Sequence, residues 1–402
     1  MSSEQTVNLL VLASYYKGVP FLEEAHRQGA NVYFLTREKM KDENWPDDAI
    51  TERFLMPKLS QFPDILHAVS YLTRDRQIDR IVPMDDYDVL IAAALREHLR
   101  LPGMGDSATR IFRDKLAMRV KARELGLPVP DFIHVLNHQQ LHQFSQTVPA
   151  PWVLKPRTEA GAMGIKKVHN ADELWQRVNQ LGDEQSGFLL EQFVPGDIFH
   201  VDSITHNGKV VFTSVQKYGR PPMNVAHDGG VFISYTLSRQ DDDYQPLVDF
   251  NEEVILGLGM HNGVTHTEFI KAHADGKLYF LETAARVGGA SIDQLVEAAS
   301  GLNLWGEWAR LEIALAQGKP YELPTIRQDY AGILVCLAKQ EYPDMSAYSA
   351  PEVVWKLDKK QHAGLIVASN DADRVHQLIN EYSQRFAHDF LAVAPPLDKP
   401  PE

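Results

Sequence analysis

The sequence predicts a multidomain chain of mixed α/β and α+β type, and three observations carry that expectation. The chain has 402 residues, more than a single hydrophobic core accommodates, so about two to four domains are expected. It opens on a strand–helix–strand unit, the mark of a parallel sheet. Further on, apolar runs are separated by Asn-Gly and Asp-Gly turns, the mark of antiparallel hairpins. The apolar and charged fractions, 44% and 23%, are those of an ordinary globular protein. One cysteine, Cys336, allows no internal disulfide and fits a cytoplasmic setting. The formal net charge of −14 argues against nucleic acid or an anionic membrane as the main partner. No apolar run is long enough to span a bilayer. The N-terminus, MSSEQTVNLLVLAS, carries an acid and only a short apolar run, so it reads as a first strand and not as a signal peptide.

Val7 to Ser14 is a near-continuous apolar run, as expected of a buried parallel strand. A helix to Gly29 and a second strand, Asn31 to Thr36, complete the unit. The intervening Tyr15-Tyr16-Lys17-Gly18 lacks GxGxxG, so dinucleotide binding is not supported. A third strand, Ile78 to Met84, ends at Asp85-Asp86-Tyr87-Asp88. These acids stand either at a helix N-terminus, where they are usual, or at a cleft beyond a strand's carboxyl end; the first reading is the plainer. Leu101 to Gly105 punctuates the chain. Ser107 to Gly126 is expected to be one helix, with Phe112, Leu116 and Val120 on its apolar face and Lys115 along it.

Trp152 to Pro156 is a short strand with Lys155 near its end. Arg157 to Lys167 is a loop of small residues whose backbone N–H groups can approach phosphates. It is no Walker loop, since no GK[ST] follows; alone, it reads equally as a mobile hairpin turn. Asn170 and Glu173 form a capping-box-like start to a helix reaching Gly182. Phe188 to Val194 is a strand followed by Pro195-Gly196. His200 to Val215 is a hairpin turning at Asn207-Gly208. A strand from Val231, a helix from Leu247 to Gly257, and later helices from Ile292 and Trp305 follow. From Tyr321 onward, three short strands and a helix from Ala372 to Phe386 suggest a small α+β unit. The proline-rich end, Pro395 to Pro401, is expected to be disordered.

The stretch from Thr265 to Ser291 reads as two strands and a tight turn. A two-residue loop, Asp275-Gly276, would set Glu268 opposite Thr283. A three-residue loop, Ala274 to Gly276, would set Glu268 opposite Glu282. Opposed like charges destabilise a strand pair, so the second register implies a cation between them. Oxygen-only ligands point to magnesium held jointly with phosphates. Ala284 and Arg286 then share the face of Glu282, where Arg286 is able to grip a phosphate or carboxylate. On the hairpin alone, the plainer reading of a surface hairpin with scattered charges is favoured.

The ordered set is more specific than any member of it: Lys115 on a helix, Lys155 ending a strand, a Gly/Ala loop, Glu191 before Pro195-Gly196, then Glu268, Glu282 and Arg286. Over residues 110 to 320 this resembles the ATP-grasp superfamily, with a matching domain before it. The resemblance implies a Rossmann-like N-terminal domain (1–105), a two-subdomain ATP-grasp core (106–190 with the lid, 191–320 with the metal site) and a small α+β C-terminal domain (321–402). It implies ATP and one or two Mg2+ ions as cofactors. Lys115 and Lys155 would contact the phosphates, and the loop Gly161, Ala162, Met163, Gly164 would cover them. Glu191, Gln192, Phe193 and Val194 would form the hinge reading adenine through the backbone. Glu268 and Glu282 match the magnesium acids, and Arg286 the arginine of E-x-N-x-R. Three departures stand out. Ala284 replaces the asparagine, Ile198 stands near the usual ribose-binding acid with Asp197 as its substitute, and the covering loop has few glycines.

Within the superfamily, GVTHTEF and ETAARVGGAS look most like carboxylate–amine ligases that join amino acids, of the L-amino-acid ligase and dapdiamide-synthase type. That implies a small-molecule carboxylate (an amino acid or N-acyl amino acid) made into an acyl phosphate and attacked by an amine; a homodimer is compatible with it. His266, on the face of Glu268, is a candidate to orient substrate, or else a satisfied structural histidine. Two rival readings remain: a bicarbonate-activating carboxylase-type component, and a decayed ATP-binding regulatory protein. Retention of Lys155, Glu268, Glu282 and Arg286 counts against the latter.

Overall fold

The computed structural model describes residues 6–394; the expected disordered tail, Pro395 to Pro401, lies outside them. The chain begins with β1 (Asn8–Ala13), α1 (Val19–Arg27), β2 (Asn31–Arg37), β3 (Glu52–Met56), α2 (Asp64–Leu72), β4 (Arg80–Pro83) and α3 (Asp86–Leu99). Its four strands form one parallel sheet in the order β3-β2-β1-β4. The central strand, β1, is the apolar run and is buried almost throughout. The edge strand β3, Glu-Arg-Phe-Leu-Met, is half exposed, which is why no apolar run announced it. Asp85 caps α3 by accepting from the Tyr87 N–H at 3.2 Å.

The helix expected over 107–126 is two: α4 (Asp106–Arg110) and α5 (Lys115–Glu124). The break falls at Asp114, whose carboxylate caps the N–H groups of Leu116 and Ala117. The inward face of α5 also differs from expectation: Lys115, Met118, Arg119 and Ala122 are buried, whereas Val120 is exposed. Charges face inward because they meet carboxylates there. Then come β5 (Phe132–His134), α6 (His138–Thr147), β6 (Trp152–Pro156), β7 (Lys166–Val168), α7 (Ala171–Leu181) and β8 (Phe188–Gln192). They make a four-stranded antiparallel sheet, β5-β8-β6-β7. A variant of the capping box forms at α7: Asn170 Oδ1 accepts from Glu173 N–H, and Glu173 accepts from the N–H of His169, one residue before the cap, both at 2.9 Å.

The remainder is β9 (Gly196–His206), β10 (Lys209–Tyr218), α8 (Pro222–Asp228), β11 (Phe232–Thr236), α9 (Tyr244–Gly257), β12 (Gly263–Ala272), β13 (Leu278–Ala284), α10 (Ile292–Ser300), α11 (Leu304–Gln317), β14 (Tyr330–Leu337), β15 (Val353–Lys356), β16 (His362–Ser369) and α12 (Ala372–Asp389). All its strands form one eight-stranded sheet, β13-β12-β9-β10-β11-β14-β16-β15. Asn207 and Gly208 both take positive φ, 50° and 69°, as a tight hairpin turn requires. The first sheet is tied to this body by α1 against α11, with the Phe21 and Trp308 rings 5.8 Å apart. The ion pairs Glu24–Arg310 and Arg80–Glu312, each 2.6 Å, flank that contact.

The β12–β13 hairpin sets Glu268 opposite Glu282, but not through a three-residue loop. Ala272 N–H donates to Lys277 O, so four residues, His273 to Gly276, make the turn. The ladder then runs Phe269↔Phe280 and shifts by one between Glu268 and Phe269, where Leu281 is the extra residue. A bulge re-aims side chains locally, and this one brings the two acids face to face. Beneath it, Phe269 is fully buried, 5.1 Å from the ring of Phe250. Replacing Phe269 by alanine is expected to cost about 3–5 kcal/mol. Urea unfolding should show it as a lowered midpoint at unchanged slope.

Candidate functional site

A cavity of about 880 Å³ lies between the small antiparallel sheet and the large one, and its far end is closed by the first sheet. Lys155 enters from the end of β6 and is buried; its Nζ lies 2.6 Å from Glu191 Oε2. Glu191 is held in turn by Arg119, which is 0% exposed, with Nε 2.7 Å from Oε1. Burial pulls the Lys155 ammonium below the usual lysine range, against the pull of Glu191. Burial would raise Glu191, but Arg119 and then Lys155 hold it below the usual carboxylate range. Arginine does not deprotonate in proteins, so Arg119 is the firmer partner and Glu191 stays ionised.

Lys115 reaches the cavity from the first turn of α5. It donates to Glu159 O at 2.6 Å and lies 3.1 Å from Glu282 Oε2. Glu268 accepts from the Tyr218 hydroxyl at 2.9 Å. Arg286 is not free: its Nε and Nη2 grip the Asp86 carboxylate, Nε at 2.6 Å, and Nη1 donates to Val287 O. Burial alone would raise Asp86, but Arg286, Arg113 and Lys17 outweigh it and hold it at about 2. Asp85 and Asp86 therefore line the cleft, and Asp85 is also the helix cap, so both sequence readings of that segment hold.

The structure brings together Lys115, Lys155, Gly161, Ala162, Met163, Glu191, Gln192, Phe193, Val194, His266, Glu268, Glu282 and Arg286 around one cavity. Gly164 does not line it. Gly161, Ala162 and Gly164 take φ of 67°, 61° and 68°, so the loop folds back on itself there. Asp197 is also not brought to the cavity: strand alternation turns it to Lys217 at 2.7 Å and His273 at 3.4 Å, while Ile198 faces in. In the hinge, Gln192 N–H donates to Asp131 O and Phe193 N–H to Pro151 O. The Val194 N–H has no such partner among the described residues.

Three features of the site escaped the sequence reading. The first is α8, the short helix after β10; it supplies Met223, Asn224 and Val225 to the wall. The second is a buried network in which Asp202 accepts from His266 Nδ1 at 2.9 Å and His200 Nδ1 at 2.8 Å. His200 Nε2 meets the Ser234 hydroxyl at 2.7 Å. Burial leaves His200 below the usual histidine range. For His266 burial is outweighed by Asp202, with Glu268 Oε1 3.8 Å away, and it is pushed up to about 10. The alternation of His200 and Asp202 in one strand was the signal available. The third is Arg113, in the break between α4 and α5.

Residues 22–103 match the ATP-grasp N-terminal domain and residues 148–294 the ATP-grasp domain. The L-arginine-specific L-amino acid ligase of Bacillus subtilis is 25% identical over 294 residues, 68% of this chain and 70% of that one. The crystal structure of an L-amino acid ligase from Bacillus licheniformis shares the fold at a TM-score of 0.78 and 18% identity, covering 98% of this chain and 99% of that one. N5-carboxyaminoimidazole synthetase from Staphylococcus aureus, complexed with ADP, does so at 0.72 and 15%, covering 95% and 98%.

At the rim of the first sheet, Asp88 is fully buried and accepts from the Ser14 N–H at 3.0 Å and from the Ser14 hydroxyl at 2.5 Å. Burial, reinforced by the Asp85 charge, pushes its carboxyl up to about 7 despite those donors. The folded state thus holds this proton more tightly than the unfolded chain, so stability falls as pH rises from about 4 to about 7. Asp88→Asn removes that loss. Urea unfolding at pH 5 and pH 8 should show the wild type losing up to about 3 kcal/mol relative to the variant.

Proposed function

The chain belongs to the ATP-grasp superfamily as an ATP-dependent carboxylate–amine ligase, and on that footing we propose that it joins an amino acid or N-acyl amino acid to an amine through an acyl phosphate, releasing ADP and phosphate. The observation that carries this reading is the convergence of two lysines, two opposed carboxylates and one arginine fork on a single cavity. A binder of adenine alone has no use for that set. The residues fit both cofactors. The bulge-aligned Glu268 and Glu282 offer only oxygen ligands, which suits magnesium shared with phosphates. The Val194 N–H, without a partner among the described residues, suits an adenine ring nitrogen, and Lys115 and Lys155 suit phosphate oxygens.

Bound ATP with magnesium supplies the phosphoryl group that turns a carboxylate oxygen into a leaving group. Phosphoryl transfer asks for positioning and charge neutralisation more than covalent help. Glu191 aims the Lys155 ammonium, and Arg119 fixes Glu191. Lys115 exchanges Glu282 for a phosphate oxygen. Asp86 holds one edge of the Arg286 fork, and the N–H groups left over on its Nη atoms would meet an oxygen of the acyl group. His266, kept cationic by Asp202, donates from Nε2 to a substrate oxygen. The Gly161–Gly164 loop closes over the phosphates.

Two experiments test the reading. Purified protein with ATP, magnesium and pairs of amino acids should release ADP only when a carboxylate and an amine are both present, and Glu282→Gln should abolish release. Release driven by bicarbonate without any amino acid, or none from any pair, would sink it. Arg286→Lys keeps the charge and loses the fork. It should bind ATP nearly normally while product formation falls about 10²–10³-fold; unchanged product formation would make Arg286 purely structural.

A further inference from the structure

Arg113 is a buried cation that no acceptor among the described residues has claimed. It is 6% exposed, and its guanidinium lies 5.2 Å from the centre of the Tyr87 ring. The helix break at Asp114 turns it into the cavity. Among the described residues no oxygen accepts a hydrogen bond from it. The carboxylates around it are already engaged: Asp86 by Arg286, Asp85 by Lys17, and Glu159 by the Tyr87 hydroxyl at 3.1 Å. Asp114, its chain neighbour, is taken by Arg157. Its five donors are not sealed off in the protein but reach the cavity that Arg113 lines, with the Tyr87 ring over one side of the guanidinium.

Planar oxyanions fit such a fork two bonds at a time. Two sources are available, a substrate carboxylate and an ATP phosphate. The position favours the first. Arg113 acts on Asp86 and Tyr87, beyond the carboxyl ends of the first sheet's strands, where ligands of open α/β sheets bind. The phosphate end already has Lys115 and Lys155. We propose that Arg113, backed by Tyr87, holds a spectator carboxylate, one that is not activated in the reaction. Resting on the ligase reading, this makes the amine partner a molecule with a carboxylate of its own, an amino acid or peptide, and not ammonia or a simple amine.

The experiment is calorimetric titration without turnover. L-Alanine, L-leucine, L-arginine and L-phenylalanine, each beside its carboxamide, are titrated into wild type, Arg113→Met and Arg113→Lys with magnesium and a non-hydrolysable ATP analogue. Melting temperatures establish that the variants are folded. At least one acid should bind the wild type about 10–100-fold more tightly than its amide, the range of a charge-assisted bond. Arg113→Met should erase that preference with nucleotide affinity unchanged, and Arg113→Lys should restore part of it. An acid preference that survives Arg113→Met overturns the site, as does a wild type that binds no acid. A matching loss of nucleotide affinity assigns Arg113 to phosphate and overturns it too. Since binding is read without turnover, acid binding through Arg113 with no ADP release in the amino-acid panel would sink the ligase reading alone.

Discussion

The cavity depends on buried charges that come only as linked sets. Lys155 cannot be buried without Glu191, and Glu191 cannot be buried on one lysine whose own charge is weakened by desolvation. Arg119 completes the set, fully buried, with its guanidinium 5.6 Å from the centre of the Phe280 ring. Removing one member of such a set costs about 3–5 kcal/mol because the others are left uncompensated. The arrangement spans the two walls: Arg119 comes from α5, Glu191 and Lys155 from the small sheet, and Phe280 from the large one. The same ion pairs that make the cavity foldable without ligand also aim its cations, and an incoming anion exchanges partners with them rather than meeting naked charge.

Around that set, strand geometry distributes the remaining chemistry. A single extra residue, Leu281, places Glu282 against Glu268. If the ladder from the turn ran on unbulged, Leu281 would oppose Glu268 and Glu282 would point to the other face. Two positions further along, His266 pairs with Ala284 across the same ladder and with Asp202 across the next. The side-chain-poor Ala284 leaves room beside an imidazolium where the related signature has an oxygen ligand. The site is therefore richer in cations on this flank than that signature implies.

Much of this was legible in the sequence, and the failures have physical causes. Long apolar runs gave β1, and Asn207-Gly208 gave its hairpin, because both signals are local. The opposition of Glu268 and Glu282 was anticipated for the wrong reason: turn length was weighed, and a bulge decides the register. The helix across Asp114 was misread because apolar periodicity identifies a buried face only when the core is apolar. Here Lys115 and Arg119 are the buried face. Asp197 was offered as a ribose ligand from its neighbourhood, but alternation along β9 sends it outward. Arg113 gave no sequence signal at all, since its role comes from a break in a helix and a tyrosine distant in the chain.

The eight-stranded sheet does not end where the cavity does. β14, β15 and β16 continue it beyond β11, and α12 packs on β14 and β16 through Leu378, Ile379 and Tyr382. β11 also carries Phe232, which lines the cavity. A chain cut before β14 would leave β11 as an open edge, with unpaired N–H and C=O groups directly behind the cavity wall. The part of the chain from β14 onward thus cannot be shed or exchanged as a module without recruiting another strand to that edge. Insertions have freer places, among them the exposed turn at His273–Gly276.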